Sequence, residues 1–365
     1  MTEGFTVRSG VCHPVFVFEV GFSIDLQQAA RQMGSPTQRP VLHHRERSTG
    51  PFEFRPAPLR VTQKLDKTAL PPLLLDPAVA LVLYDFGAAS VSFQLPLPTG
   101  PDDILALSIA LRGNGALVDE ARRRITDLIT TLGQAVQRPR VAEPIEDYFI
   151  FELTEVEGLT TGAAFCAEHA DWIARVLRAE PGELSAEEVG DATSARIAFG
   201  PKDVTLVDWD SAIVLDREPA HLRAVLEFAN VQLLELRHLD DQVDQILERS
   251  YQLLSRRTGW RAIAFSIPAE ERRQLAALQV ESAILLERVT NALKFLGEEY
   301  LARLYRLAAG RLHLSEWDGV ITRKLATVEN IYQKLTDRAS ARRMELLEWV
   351  IILLIAFEVV LTLWR

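Results

Sequence analysis

HLRAVLEFANVQLLELRHLDDQVDQILERSYQLLSRR (221–257) divides the chain in two. Apolar residues recur at Leu222, Leu226, Ala229, Leu233, Leu236, Val243, Leu247 and Leu254. The intervals alternate between four and three, with Asp240 and Ser250 in the two skipped places, so the spacing predicts a helix with a heptad seam. After a break near Thr258–Pro268 a second helix is expected, with Leu278, Leu285, Val289, Ala292 and Leu296 on one face. After another break near Gly310–Gly319 the pattern returns at Ile321, Leu325, Val328, Tyr332, Leu335 and Ala339, with Arg342 as the exception. Residues 218–345 therefore read as a helical stalk, a bundle or coiled coil, with Leu325, Val328, Tyr332 and Leu335 as expected contacts of a homo-oligomer.

Upstream of Pro219 the period changes. HPVFVFEVGFSI (13–24) is rich in Val, Phe and Ile and reads as a strand, and Asp25 is placed to cap a short helix after it. Val79–Tyr84 and Ser90–Leu95 read as a hairpin turning near Asp85–Gly87. Helices are expected over PDDILALSIALRG (101–113) and ALVDEARRRITDLITTLGQAV (116–136), then a strand over Asp147–Val156. A helix over 162–179 and two strands up to Asp216 complete residues 1–217. Strands and helices alternate without regular βαβ units, which favours an α+β head, with ferredoxin-like layers as the expected arrangement.

At the other end, ARRMELLEWVIILLIAFEVVLTLWR (341–365) is almost unbroken in apolarity. Residues 346–364 would span roughly 28 Å as a helix, close to the hydrocarbon thickness of a bilayer. Trp349, Val350, Ile351, Ile352, Leu353, Leu354, Ile355, Phe357 and Trp364 form the expected transmembrane anchor, with Arg338, Arg342 and Arg343 on its cytoplasmic flank. The alternative is a hydrophobic helix end that closes an oligomer. Glu358 favours that alternative, because a carboxylate in a bilayer costs about 2.5–3.5 kcal/mol, and it could pair between subunits.

The net charge of -10 argues against a dedicated nucleic-acid-binding protein. Residues 1–67 are the exception: nine Lys and Arg against six Asp and Glu give +3, leaving -13 for the remainder. Two distant cysteines, Cys12 and Cys166, make neither a disulfide framework nor a zinc site. The N-terminus carries no secretory signal pattern. Phosphate-binding glycine loops and the common hydrolase motifs are missing from the sequence. His43 and His44 lie in a basic stretch, 39–67, that reads as a solvated loop. Asp208 and Asp210 flank Trp209 on a predicted strand, which would put two carboxylates on one face and the indole on the other; they are the candidate head site.

The segments YDFGAASVSF (84–93), DWDSAIVLD (208–216), NVQLLELRHLDDQVDQ (230–245) and RRMELLEWVIILLIAFEVV (342–360) resemble the "required for meiotic nuclear division" family over about residues 79–365. The resemblance implies a membrane-associated α+β head on a helical stalk, with organellar members tied to the inner membrane and to mitochondrial translation. It supplies no catalytic residue.

The expected function is a non-enzymatic, cofactor-free scaffold tethered to the bacterial inner membrane by a single-pass C-terminal anchor. Its stalk self-associates, and its head meets an unknown protein partner near the cytoplasmic face. The alternatives are a ligand-binding or enzymatic head, or RNA or ribosome contact through 39–67.

Overall fold

The structure is a computed structural model that describes residues 5–33, 57–65, 73–255 and 299–364, together with positions 273, 277 and 280. The chain forms two compact units, Met1–His238 with Glu287–Ser315 and Leu239–Leu286 with Glu316–Arg365.

The first unit is built on β1 (Val7–Glu19) and β8 (Ile145–Val156), the two longest strands, paired antiparallel at the centre of a nine-stranded sheet. Both are buried on both faces over their middles, as strands covered on two sides are. Around them lie β3 (Leu59–Lys64), β4 (Ala78–Leu83), β5 (Ala88–Ser92), β6 (Leu95–Pro96), β9 (Arg196–Ile197), β10 (Val204–Val207) and β11 (Ser211–Leu215). The order is β3-β4-β5-β1-β8-β11-β10-β9, with β6 on β1; β2 (Ser23–Ile24) and β7 (Val136–Gln137) pair separately. The pairs are antiparallel except β8 with β11, which is parallel. The ferredoxin-like layering expected above is thereby corrected to a larger, mixed sheet.

Pro14 sits in the middle of central strand β1, where a missing N–H would normally cost a ladder bond. Here β1 changes partner: Val11 and Cys12 face β6, and Val15 onward face β5. Pro14 fills the gap between the two ladders, and its carbonyl still accepts from the Phe93 N–H at 3.0 Å.

On one face, Cys12, Phe16 and Phe18 of β1 and Phe149, Phe151 and Leu153 of β8 enter the main core. They meet residues of α2 (Pro101–Leu111), α3 (Gly115–Leu132), α4 (Gly162–Glu168) and α5 (Ala170–Arg178). α1 (Leu26–Gln32) is capped by Asp25, which accepts from the N–H groups of Gln27 and Gln28. α6 (Ala186–Ala192) packs on α5.

The opposite face of the sheet carries His13, Val15, Val17, Tyr148, Ile150, Glu152 and Ser90, all buried. α7 (Ala220–Ser255) crosses this face. Arg223 pairs with Glu152 at 2.6 Å, and Arg237 pairs with Glu146, also at 2.6 Å. Fourteen helical residues cover about 21 Å and six strand residues about 20 Å. The first unit's part of α7 therefore runs antiparallel to β8 in matched register. α8 (Glu299–Arg311) packs beside it on β9 and β10, with the Phe228 and Tyr305 rings 6.3 Å apart.

The second unit includes the outer part of α7 and most of α9 (Leu314–Leu363), one helix of 50 residues. Leu239, Val243 and Ile246 of α7 and Ile321, Val328 and Tyr332 of α9 are buried, and Leu325 is half-buried. Lys324 bridges Asp240 and Asp244 at 2.7 and 2.8 Å. Leu335, Arg338, Arg342 and Arg343 fall at positions whose side chains lie outside those described. The middle stalk helix, apart from three isolated helical positions, also lies outside the described residues.

Among the described residues no helix is long and apolar enough to cross a membrane. Glu348 and Glu358 bracket the uninterrupted run Trp349–Phe357. Nine residues make about 13 Å of helix, less than half of the roughly 30 Å hydrocarbon core. The expected transmembrane helix over 346–364 is thus corrected, and with it the tail-anchored, single-pass placement in a bacterial inner membrane. Trp349, Val350, Ile351, Ile352, Leu353, Leu354, Ile355 and Phe357 instead form an exposed stretch of α9, and Trp364 beyond them is also exposed.

The β4–β5 hairpin turns on Gly87, at φ +101°, where an added Cβ would overlap the carbonyl oxygen of Gly21. Gly87→Ala is expected to destabilise the first unit by about 2 kcal/mol or more, read as a lower urea midpoint with an unchanged slope.

Candidate functional site

Asp208 and Asp210 do not lie on a strand. The β10–β11 ladder ends at the Val207–Ala212 pair and β11 begins at Ser211, so residues 208–210 form the turn between them. Alternation therefore fails: the Asp208 side chain is fully buried, and Trp209 is 63% exposed. Arg178 Nε donates to Asp208 Oδ2 at 3.2 Å, and Arg311 Nε and Nη2 donate to Oδ1 at 2.9 and 2.6 Å. The Trp209 N–H adds a fourth donor at 2.9 Å. Asp191 takes the outer sides of the same guanidiniums, from Arg178 at 2.6 Å and from Arg311 at 2.7 Å. Hydrogen bonding to Arg311, helped by Arg178, holds the Asp191 carboxyl down at about 2. Asp210 is paired with Arg112. Tyr148 reaches the turn from beneath, its hydroxyl 3.0 and 2.9 Å from the carbonyl oxygens of Asp208 and Ser211. The two carboxylates are paired with Arg112, which follows α2, Arg178 of α5 and Arg311 of α8, which ties the ends of three helices to one turn.

A second buried cluster lies under α7. His13 Nε2 and Glu152 Oε2 are 3.1 Å apart, with both side chains 4% exposed. Arg223 Nη1 donates to Glu152 Oε1 at 2.6 Å and stands 3.0 Å from the same ring nitrogen. The tautomer that serves the carboxylate has hydrogen on Nε2 donating to Glu152. One turn on, Glu227 accepts from the Ser90 hydroxyl. Asn230 follows on the same helix face, 1% exposed, and its amide nitrogen has no hydrogen-bond partner among the described residues.

Burial opposes ionisation of Glu152, yet His13 and Arg223 outweigh it and hold the carboxyl below the usual range. Burial dominates at His13 and lowers its pKa, which favours the neutral ring. A His–Glu pair of this kind can orient a general base. Here the ring is buried and, through Glu152 and Arg223, the arrangement links helix and sheet as a clasp. Sequence reasoning passed over this cluster. The available signal was one histidine and one glutamate in otherwise apolar strands, with Arg223 and Glu227 four residues apart on a helix.

Among the described residues no group of three or more His, Cys, Asp or Glu side chains is placed to hold a metal ion. His43, His44 and most of the basic segment 39–67 lie outside the described residues. Cys12 and Cys166 are both buried with free thiols. His169 packs its ring against Phe5, tilted, and Phe165, edge to face, with centroids 4.6 and 5.0 Å apart.

A family model described as "Uncharacterized protein MJ0711, N-terminal domain" matches residues 9–221. The chain belongs to the MJ0711 N-terminal domain family. It is 23% identical over 202 residues to "Uncharacterized protein MJ0711" of Methanocaldococcus jannaschii. That alignment covers 55% of this chain and 61% of the relative, so the chain spans less than two thirds of that protein. No solved structure matches.

This membership corrects the resemblance to the "required for meiotic nuclear division" family. The MJ0711 match covers the sheet from within β1 onward and α1 to α6. Two of the four segments that carry the other resemblance, 230–245 and 342–360, are heptad or apolar helical runs, which unrelated helices share because they solve the same burial problem. The matched region ends in the first turn of α7. It holds His13, Ser90, Glu152, Arg178 and Asp208, while Arg223, Glu227 and Arg311 lie beyond it.

Two outcomes are expected. Asp208→Ala leaves Arg178 and Arg311 without their buried partner and should cost about 3–5 kcal/mol, against about 0.5 kcal/mol or less for exposed Trp209→Ala; urea titration of both variants checks this. The second outcome concerns pH. His13 and Glu152 both have folded pKa values below their unfolded ones, so the unfolded chain binds protons first as pH falls. Their contribution is complete above pH about 6.5 and is lost progressively below it, His13 first and Glu152 at lower pH. His13→Gln should flatten the stability profile between about pH 7 and 5; equal slopes in both proteins would refute the assignment.

Proposed function

We propose that this chain is a non-enzymatic assembly module that self-associates through the C-terminal end of α9, carrying the MJ0711-type sheet domain as its head. The supporting observation is the exposure of that helix end. From Trp349 to Val359 the large apolar side chains are each between 47% and 66% exposed, on every side of the helix. Monomeric proteins seldom leave contiguous apolar patches above about 300–600 Å² uncovered.

A second copy of the same helix is the favoured occupant because the seam continues in phase. Leu325 and Tyr332 recur at whole heptads as Leu353, and Val328 recurs as Trp349 and Ala356. The two carboxylates of this stretch, Glu348 and Glu358, lie roughly 110° and 170° around the helix from that row, on the side that would face water in an oligomer. Val328 and Tyr332 are already buried within one chain, which moves the expected contact from the stalk's middle to Trp349–Val359.

Sedimentation velocity on the full chain is expected to give a defined oligomer. Ile352→Gln combined with Leu353→Gln, at exposed positions, should shift it to monomer without changing the circular dichroism spectrum. A full chain that sediments as a monomer, or an oligomer unmoved by the double substitution, would overturn the proposal.

A further inference from the structure

The first unit holds a cleft of about 360 Å³ at the carboxyl ends of β8 and β11, the parallel pair. This is near the lower end of the ligand-pocket range, about 300–1,000 Å³. The carboxyl ends of neighbouring parallel strands are a recurrent ligand position, because the chain leaves the sheet there in diverging directions. β11 ends at Leu215 while β8 continues to Val156, and the cleft opens in the step between them. Val156 and Leu159 are half-buried at its side, above Leu153 and Leu215, which are buried in the core.

The rim carries both signs of charge. Lys202 and Arg217 are exposed, and neither is ion-paired among the described residues. Arg112, Arg178, Arg223 and Arg311, by contrast, are each tied to a carboxylate. Asp203 has both oxygens engaged by the N–H groups of Phe199 and Gly200, at 2.6 and 2.5 Å. Asp216 spends one oxygen on the Glu218 N–H at 2.8 Å; its other oxygen and the exposed Glu155 carboxylate, which also feels the Arg8 charge, make no hydrogen bond among the described residues. A simple anion would meet the rim acids and a simple cation would meet Lys202 and Arg217. A molecule with both charges on a short apolar body satisfies all of them.

We propose that this cleft binds a small zwitterion, a free α-amino acid with an apolar side chain. Lys202 and Arg217 hold its carboxylate, Asp216 and Glu155 its ammonium, and Leu159 and Val156 its side chain. The site lies wholly in the first unit and is independent of self-association.

Ligand-observed saturation-transfer NMR on the full chain tests this, with L-leucine, N-acetyl-L-leucine and L-leucinamide as probes. L-Leucine should bind, and each blocked derivative should bind at least about tenfold more weakly. Lys202→Ala with Arg217→Ala, both at exposed positions, should weaken L-leucine by a similar factor while the thermal midpoint stays within a few degrees. No binding by L-leucine overturns the proposal. So does equal binding by N-acetyl-L-leucine, which would make the cleft a plain carboxylate site, or binding unaffected by the double substitution.

Discussion

Two arginines on one helix, fourteen residues apart, meet two glutamates on one strand, six residues apart. That match sets the placement of α7 on the sheet. A carboxylate as buried as Glu152 is costly unless a cation and hydrogen-bond donors reach it, and Arg223 with His13 provides both. A shift of α7 by one residue would turn Arg223 about 100° away from Glu152 and do the same to Arg237 at Glu146. An apolar helix could slide on an apolar sheet at little cost; this one has a single satisfied register. Net stabilisation from such pairs is small or absent, so their contribution lies in specifying one arrangement. The Asp208 turn follows the same logic at another corner of the unit, where one buried carboxylate fixes Arg178 and Arg311 and thereby α5 and α8.

Local elements were legible in the sequence because their signals are local. The Val and Phe alternation of β1, the Asp25 cap, the turn at Asp85–Gly87 and the heptads of α7 and α9 each rest on a few neighbouring residues. Pairing was not legible in the same way. Nothing near Pro14 announces that β1 changes partners there, and the parallel join of β8 to β11 spans some sixty residues. Asp208 was misplaced because a period of two was carried past the end of a ladder into a turn. The tail is not settled by composition, which does not distinguish an apolar helix that enters lipid from one that does not; Glu348 and Glu358 are what shorten its uninterrupted apolar run.

The site residues divide in the same manner. Asp208 and Asp210 drew attention as adjacent acids but are occupied by arginines, whereas His13 and Glu152 were passed over inside apolar strands. Buried polar residues in a strand carry more information than clustered polar residues in a turn, since each has to be matched from elsewhere in the chain. Membership in the MJ0711 N-terminal domain family covers the sheet but stops at the start of α7, so the helix that seals the polar face is read from this chain's own geometry. The proposed assembly through α9 and the proposed cleft at the ends of β8 and β11 use different parts of the molecule and stand separately.

The most direct test of the account is a double-mutant cycle on Arg223→Met and Glu152→Gln, measured by urea unfolding at pH 7.5. If the pair registers α7 on the sheet, each single substitution leaves the other group buried and mismatched, and the double substitution should cost less than the sum of the two by about 2 kcal/mol or more. Additivity to within about 0.5 kcal/mol would mean that the two residues are energetically independent, and that something other than this clasp places the helix.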